Sequence, residues 1–179
     1  MDKTVTIENV VASINFGVPI DLYAMATRNS FLSYNPTKFP ALVLRLAKPK
    51  TTVLIFSSGK AVIVGAKSED DIKKIVKRVA LFLKDNGISL KSNAKASVKN
   101  IVASFSIGKA INLEKLGSRL EGSLYEPEQF PGLLYRASDA VFIIFASGKI
   151  ICTGTKSEKQ LMAAIESFLG VFQAYALSF

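Results

Sequence analysis

Histidine is absent from this chain of 179 residues, and cysteine occurs once, as Cys152. Those two scarcities remove most of the tools of catalysis and of metal binding. Without histidine there is no imidazole base near neutral pH and no usual transition-metal ligand, and a lone thiol builds neither an intramolecular disulfide nor a cysteine-only metal cage. No catalytic residue, cofactor or metal site is expected. Acidic residues are also scarce: 14 Asp and Glu face 23 Lys and Arg, leaving a net charge of +9. Such a surplus favours a polyanionic partner, either nucleic acid or an anionic membrane surface. Missing too is an apolar run of about 18 residues that could cross a bilayer, and the opening MDKTVTIENVV is too polar for a secretory signal. An intracellular, reducing compartment is the expectation.

What the chain does have, it has twice. NVVASINFG from Asn9 returns as NIVASFSIG from Asn100, YNPTKFP from Tyr34 as YEPEQFP from Tyr125, and FSSGKAVIVGAKSE from Phe56 as FASGKIICTGTKSE from Phe145. The offset is 91 residues for the first two pairs (100 − 9, 125 − 34) and 89 for the third (145 − 56), so the second copy lacks two residues between Arg136 and Phe142. Tandem copies of one unit predict a body with pseudo-twofold symmetry, divided as residues 1–90 and 91–179 with a joint at Ser89 to Lys95. Functional residues should therefore come in pairs.

Each copy opens on an alternating Val- and Ile-rich run, Thr4 to Asn15 and Ser97 to Ser106, which reads as a strand. Asp21 and Asn112 suit the caps of short helices, Asp21 to Asn29 and Asn112 to Leu120. Three strands then follow: Ala41 to Leu46, Thr51 to Phe56 and Ala61 to Ala66, matched by Gly132 to Ala137, Ala140 to Phe145 and Ile150 to Thr155. The last two in each set are joined at Ser58-Gly59-Lys60 and Ser147-Gly148-Lys149. Asn35-Pro36 and Glu126-Pro127 bias Tyr34 to Phe39 and its counterpart toward an extended segment. Ser68 and Ser157 cap closing helices with apolar stripes. Helices can cover one face of such a sheet, and the other should then be polar. It is not: Leu54, Phe56, Val62 and Val64, and Ile143, Phe145, Ile151 and Thr153, form a parity as apolar as the opposite one. A greasy face on a basic chain is presented to a partner.

The paired motifs, Asn-hydrophobic-Val-Ala-Ser, Tyr-x-Pro-x-x-Phe-Pro, Ile-Phe-x-Ser-Gly-Lys and Gly-x-Lys-Ser-Glu, resemble the TATA-box-binding protein family from Thr4 to Tyr175. The resemblance implies an α+β saddle of two tandem repeats, a ten-stranded curved antiparallel sheet with helices on the convex face. It implies a non-enzymatic factor that recognises A·T-rich promoter elements through the minor groove and nucleates transcription initiation. A kink of roughly 80° and wedging side chains come with the resemblance rather than from the residues. Phe39 and Phe56 would wedge one end step and Phe130 and Phe145 the other. Asn9 and Asn100 would donate to adenine N3 or thymine O2, over an apolar floor of Val11, Val102, Leu54, Ile143, Val62 and Ile151 with no room or acceptor for the guanine amino group. Val64 and Thr153 would also face the bases, and Thr153 would add a hydroxyl contact. Arg45, Arg136, Lys60, Lys149, Lys67 and Lys156 match positions that reach phosphates. Glu126 and Glu128 would face the B-type initiation factor and the first repeat's edge the A-type factor, with RNA polymerase machinery downstream and the nucleus as the compartment, since YNPTKFP and KPKTTVLIF look nuclear. Without DNA, the apolar underside implies a homodimer.

Three departures bear on that reading. Val64 stands where many members carry Thr, Pro40 and Pro131 both follow their wedge Phe, and ASDA at 137–140 replaces the basic loop LAKPKT. A related protein with altered DNA preference, acting through protein partners, is therefore an alternative. An apolar-ligand carrier or an enzyme in the concavity is a weaker one, because no convergent polar groups accompany the apolar face.

Overall fold

The computed structural model describes residues 4–90 and 94–176, and one series of elements runs through it twice. The first copy contains β1 (Thr6–Asn15), α1 (Leu22–Arg28), β2 (Ser33–Asn35), β3 (Phe39–Ala47), β4 (Lys50–Phe56), β5 (Lys60–Ala66) and α2 (Glu69–Asp85). The second contains β6 (Ala96–Ser106), α3 (Leu113–Gly117), β7 (Ser123–Leu124), β8 (Gly132–Arg136), β9 (Val141–Phe145), β10 (Lys149–Thr155) and α4 (Glu158–Ala176). The fold is α+β and antiparallel, ordered β2-β3-β4-β5-β1 in one copy and β6-β10-β9-β8-β7 in the other.

Two compact units divide the chain: Asn9–Lys99, and the residues from Asn100 onward together with those up to Glu8. The sequence repeat places its boundary between residues 90 and 91, whereas packing divides the chain within β1 and β6. Ser104 Oγ donates to Glu8 Oε1 at 2.6 Å, tying the start of β1 to the second unit. Of the expected joint, residues 91–93 lie outside the described residues.

Local chemistry explains the ends of the elements. Asp21 Oδ1 accepts from the Ala24 N–H and Asn112 Oδ1 from the Lys115 N–H, so both short helices start on the caps that the sequence predicts. Ser68 Oγ accepts from Asp71 N–H at 3.0 Å and Ser157 Oγ from Gln160 N–H at 3.1 Å, opening α2 and α4. Gly87, at φ +81°, ends α2: its N–H donates to Lys84 and the Ile88 N–H reaches back to Leu83. At the hairpin tips Gly59 and Gly148 also carry positive φ, and a Cβ there would lie 2.0 Å from the Val18 oxygen or 2.2 Å from the Lys109 oxygen.

Two expectations need correction. Tyr34 to Phe39 is not one extended segment: β2 stops at Asn35, residues 36–38 turn with the Lys38 N–H on the Asn35 oxygen, and β3 begins at Phe39. Proline restricts the residue before it, but a three-residue turn satisfies that restriction as well as a strand does. The helix expected to reach Leu120 ends at Gly117, and the Leu120 side chain is buried beyond it.

Burial follows parity. Val53, Ile55, Ala61 and Ile63 in the first copy, and Phe142, Ile144, Ile150 and Cys152 in the second, have no exposure. The α2 residues Ile72, Ile75, Val79 and Leu83 are buried in the first unit, and the α4 residues Leu161, Ile165, Phe168 and Phe172 in the second. Phe142 and Phe168 stack with centroids 4.3 Å apart. Burial raises the Cys152 thiol to about 11, so it stays protonated and unreactive.

Candidate nucleic-acid interface

Among the described residues, the opposite parity is left partly open to solvent. In the first unit Asn9, Val11, Leu54, Val62 and Val64 are half-buried, and in the second Asn100, Val102, Ile143, Ile151 and Thr153 are. Ladder pairing brings them together: Leu54 lies across from Val62, Ile143 from Ile151, and Thr153 from Val102. Each copy thus presents a floor of branched aliphatic side chains, neither sealed in a core nor interrupted by charge.

Two phenylalanines stand on each floor. Phe39 and Phe56 meet edge-on with centroids 6.4 Å apart, and Phe130 and Phe145 do so at 6.1 Å. Phe39 is 45% exposed and Phe130 40%, so neither is a core residue. Register explains the proximity, because Phe56 pairs with Ala41 and Phe145 with Gly132. Phe130 is carried out of a turn in which both its N–H and that of Gln129 donate to the Glu126 oxygen. Gly132 is a residue that sequence reasoning missed. A Cβ there would lie 2.7 Å from the Phe130 ring and 3.0 Å from the Ile143 side chain, so the ring pair occupies the space a side chain would need. The first copy has Ala41 at that place, and the mismatch hides the signal.

The asparagines are held by a second missed feature. Register slips between Val10 and Ala12 opposite β5, and between Thr153 and Thr155 in β10, so each pairing carries a bulge at a glycine. Gly65 has φ +99° and Gly154 φ +101°. Their N–H groups, turned out of the ladder, donate to Asn9 Oδ1 at 2.7 Å and Asn100 Oδ1 at 2.8 Å. A glycine inside a strand pattern is the available sign of a bulge. The amide oxygens are thereby occupied, and the NH2 groups are the donors, that of Asn100 already giving one hydrogen to Thr153 Oγ1 at 3.1 Å.

Around these floors Arg45, Arg136, Lys60, Lys149, Lys67 and Lys156 are exposed. Arg45 and Arg136 sit on β3 and β8, Lys60 and Lys149 begin β5 and β10, and Lys67 and Lys156 follow those strands. Backbone N–H groups of Lys67 and Lys156 donate to Asp71 and Gln160. Glu126 and Glu128 are exposed in the loop before Phe130. Among the described residues, no group of three His, Cys, Asp or Glu side chains could hold a metal ion, and no helix is long and apolar enough to cross a membrane. Such a surface fits a ligand with a flat apolar underside, acceptors on its floor and negative charge at its margins.

Comparison with known proteins agrees in kind. A family model described as transcription factor TFIID, or TATA-binding protein, matches residues 4–86 and 95–175. A TATA-box-binding protein of Pyrobaculum aerophilum is 47% identical over 162 residues, covering 89% of this chain and 81% of its own. One from Sulfurisphaera tokodaii is 46% identical over 164 residues, covering 90% and 83%. Among solved structures, the Methanococcus jannaschii TBP superposes with a TM-score of 0.85 at 41% identity, over 95% of this chain and 98% of that one.

Proposed function

We infer the function from one premise: the chain belongs to the TATA-binding protein family of transcription factors. It is a TATA-binding transcription initiation factor. The finer reading is that each copy lays its open sheet face on the minor groove of A·T-rich promoter DNA and bends it. One observation carries this. In both copies the same floor of half-buried aliphatics bears an asparagine amide whose oxygen is held by a bulge N–H and a pair of rings, one of them exposed. The minor groove of A·T pairs offers acceptors only, which the Asn9 and Asn100 NH2 groups complement, and the aliphatic side chains of the floor offer a guanine amino group no acceptor. Rings at the ends of the floor can enter an opened base step, replacing part of its lost stacking. Exposed Arg45, Arg136, Lys60, Lys149, Lys67 and Lys156 would neutralise phosphates on either side.

The chain needs no catalytic step for this role, and none is assigned. Glu126 and Glu128, poor neighbours for phosphate, would serve contact with the B-type initiation factor, and the exposed edge of β2 contact with the A-type factor, leading on to RNA polymerase. Its place of work is the chromosome. A nuclear compartment rests on the likeness of YNPTKFP and KPKTTVLIF alone, while the relatives named above are archaeal. Titrating labelled duplexes tests the reading: an A·T-rich element should be bound and bent, seen as end-to-end energy transfer. A G·C-only duplex of equal length bound equally well would overturn it.

A further inference from the structure

The amide of Asn9 and that of Asn100 do not have the same neighbours. Each oxygen accepts a bulge N–H, and a backbone N–H cannot donate to an NH2 group, so the orientation of both amides is fixed by Gly65 and Gly154. Beside Gly65 stands Val64, which has neither donor nor acceptor. Beside Gly154 stands Thr153, whose hydroxyl accepts from Asn100 Nδ2 at 3.1 Å and donates to Asn100 Oδ1 at 3.3 Å. A hydroxyl has two lone pairs, and the amide uses one. Thr153 is half-buried on the open face, so the second lone pair is within reach of a bound ligand.

Base pairs in the minor groove differ in one donor. A·T shows adenine N3 and thymine O2, both acceptors, and G·C adds the guanine 2-amino group. At the first copy that amino group would meet an NH2 donor and a valine, with nothing to receive its hydrogen. At the second it would meet a hydroxyl oxygen able to accept.

We propose that the two copies read base pairs unequally: Asn9 with Val64 makes the first copy exclude G·C, whereas Thr153 lets the second copy tolerate it. This rests on the minor-groove reading above. It has a consequence for polarity. On a self-complementary A·T element the protein has no reason to prefer either direction, and one G·C pair placed in one half should draw the Thr153 copy onto that half.

Energy transfer measures the direction. A donor dye goes on Lys159→Cys, an exposed position of α4, while the buried and protonated native Cys152 stays unlabelled. An acceptor marks one end or the other of the duplex. The wild-type surface should place the second copy on the G·C half with a preference of about tenfold, the size of one direct contact. Replacing guanine by hypoxanthine, which lacks the 2-amino group, should abolish the preference. Thr153→Val and Val64→Thr should each abolish it, and the double exchange should reverse it, a sign change that general loss of stability cannot produce. Equal transfer from both ends on the G·C duplex, or a preference that survives hypoxanthine, overturns the proposal. Failure to bind the all-A·T duplex overturns the functional reading and this proposal with it, whereas binding without polarity overturns the proposal alone.

Discussion

A phenylalanine ring contributes most to stability when its surroundings would otherwise be left with a cavity, and the described phenylalanines of this chain divide by that rule. Phe142 has no exposure and stacks on Phe168, while Phe56 and Phe145 lie half-buried on an open face beside Phe39 and Phe130. Phe142→Ala should therefore cost about 3–5 kcal/mol of unfolding free energy. Phe56→Ala or Phe145→Ala should cost a small part of that and lose DNA bending instead. Thermal melting and end-to-end energy transfer on a labelled duplex separate the two. A large drop in melting temperature for Phe56→Ala, with normal bending by the surviving protein, would return that ring to the core. The ring positions were legible because each follows the same Tyr-x-Pro-x-x or precedes the same Ser-Gly-Lys in both copies. Gly132 was not legible: its reason is a space filled by Phe130 and Ile143, and only register brings those residues to it.

At the scale of elements, the bulges join backbone conformation to recognition. Gly154 holds φ +101°, a conformation costly for a residue with a Cβ, and its N–H orients the Asn100 amide. Gly154→Ala should cost about 1–3 kcal/mol in strain and also weaken discrimination between A·T-rich and G·C duplexes. Gly170 in α4 is the control. A Cβ there meets nothing within 4 Å, so Gly170→Ala should gain about 0.5–1 kcal/mol. Calorimetric melting of the two variants checks the opposite signs, and equal effects would show that neither backbone argument holds. The caps of α1, α2, α3 and α4 were legible because Asp, Ser and Asn at a helix start have one dominant use. The strand after Tyr34 was misjudged because a proline constrains its predecessor equally in a turn and in a strand, and the hydrogen bond from Lys38 to Asn35 that decides between them leaves no mark in the sequence.

The whole molecule carries +9, and its exposed cations accompany two uncovered apolar faces. Those two properties act in opposite directions when DNA is absent. Apolar burial of about 1.5–3 kcal/mol per phenylalanine favours association of one copy of the chain with another through the open faces, while like charge opposes it. Sedimentation without DNA should therefore show association that grows as salt rises, because screening removes the repulsion and leaves apolar burial intact. Adding an A·T duplex should dissolve these species, since DNA competes for the same faces. Binding to DNA should respond to salt in the reverse sense. If Arg45, Arg136, Lys60, Lys149, Lys67 and Lys156 each displace a counterion from a phosphate, log K should fall with log salt at a slope of about −5. Arg136→Ala should lower that slope by about 1 and leave the preference for A·T unchanged, because a phosphate contact positions the protein without reading sequence. A slope near zero, or a change in base preference without a change in slope, would take this arginine off the phosphate path. Monomer alone at every salt concentration would show that the open faces are too weakly apolar to hold a second copy.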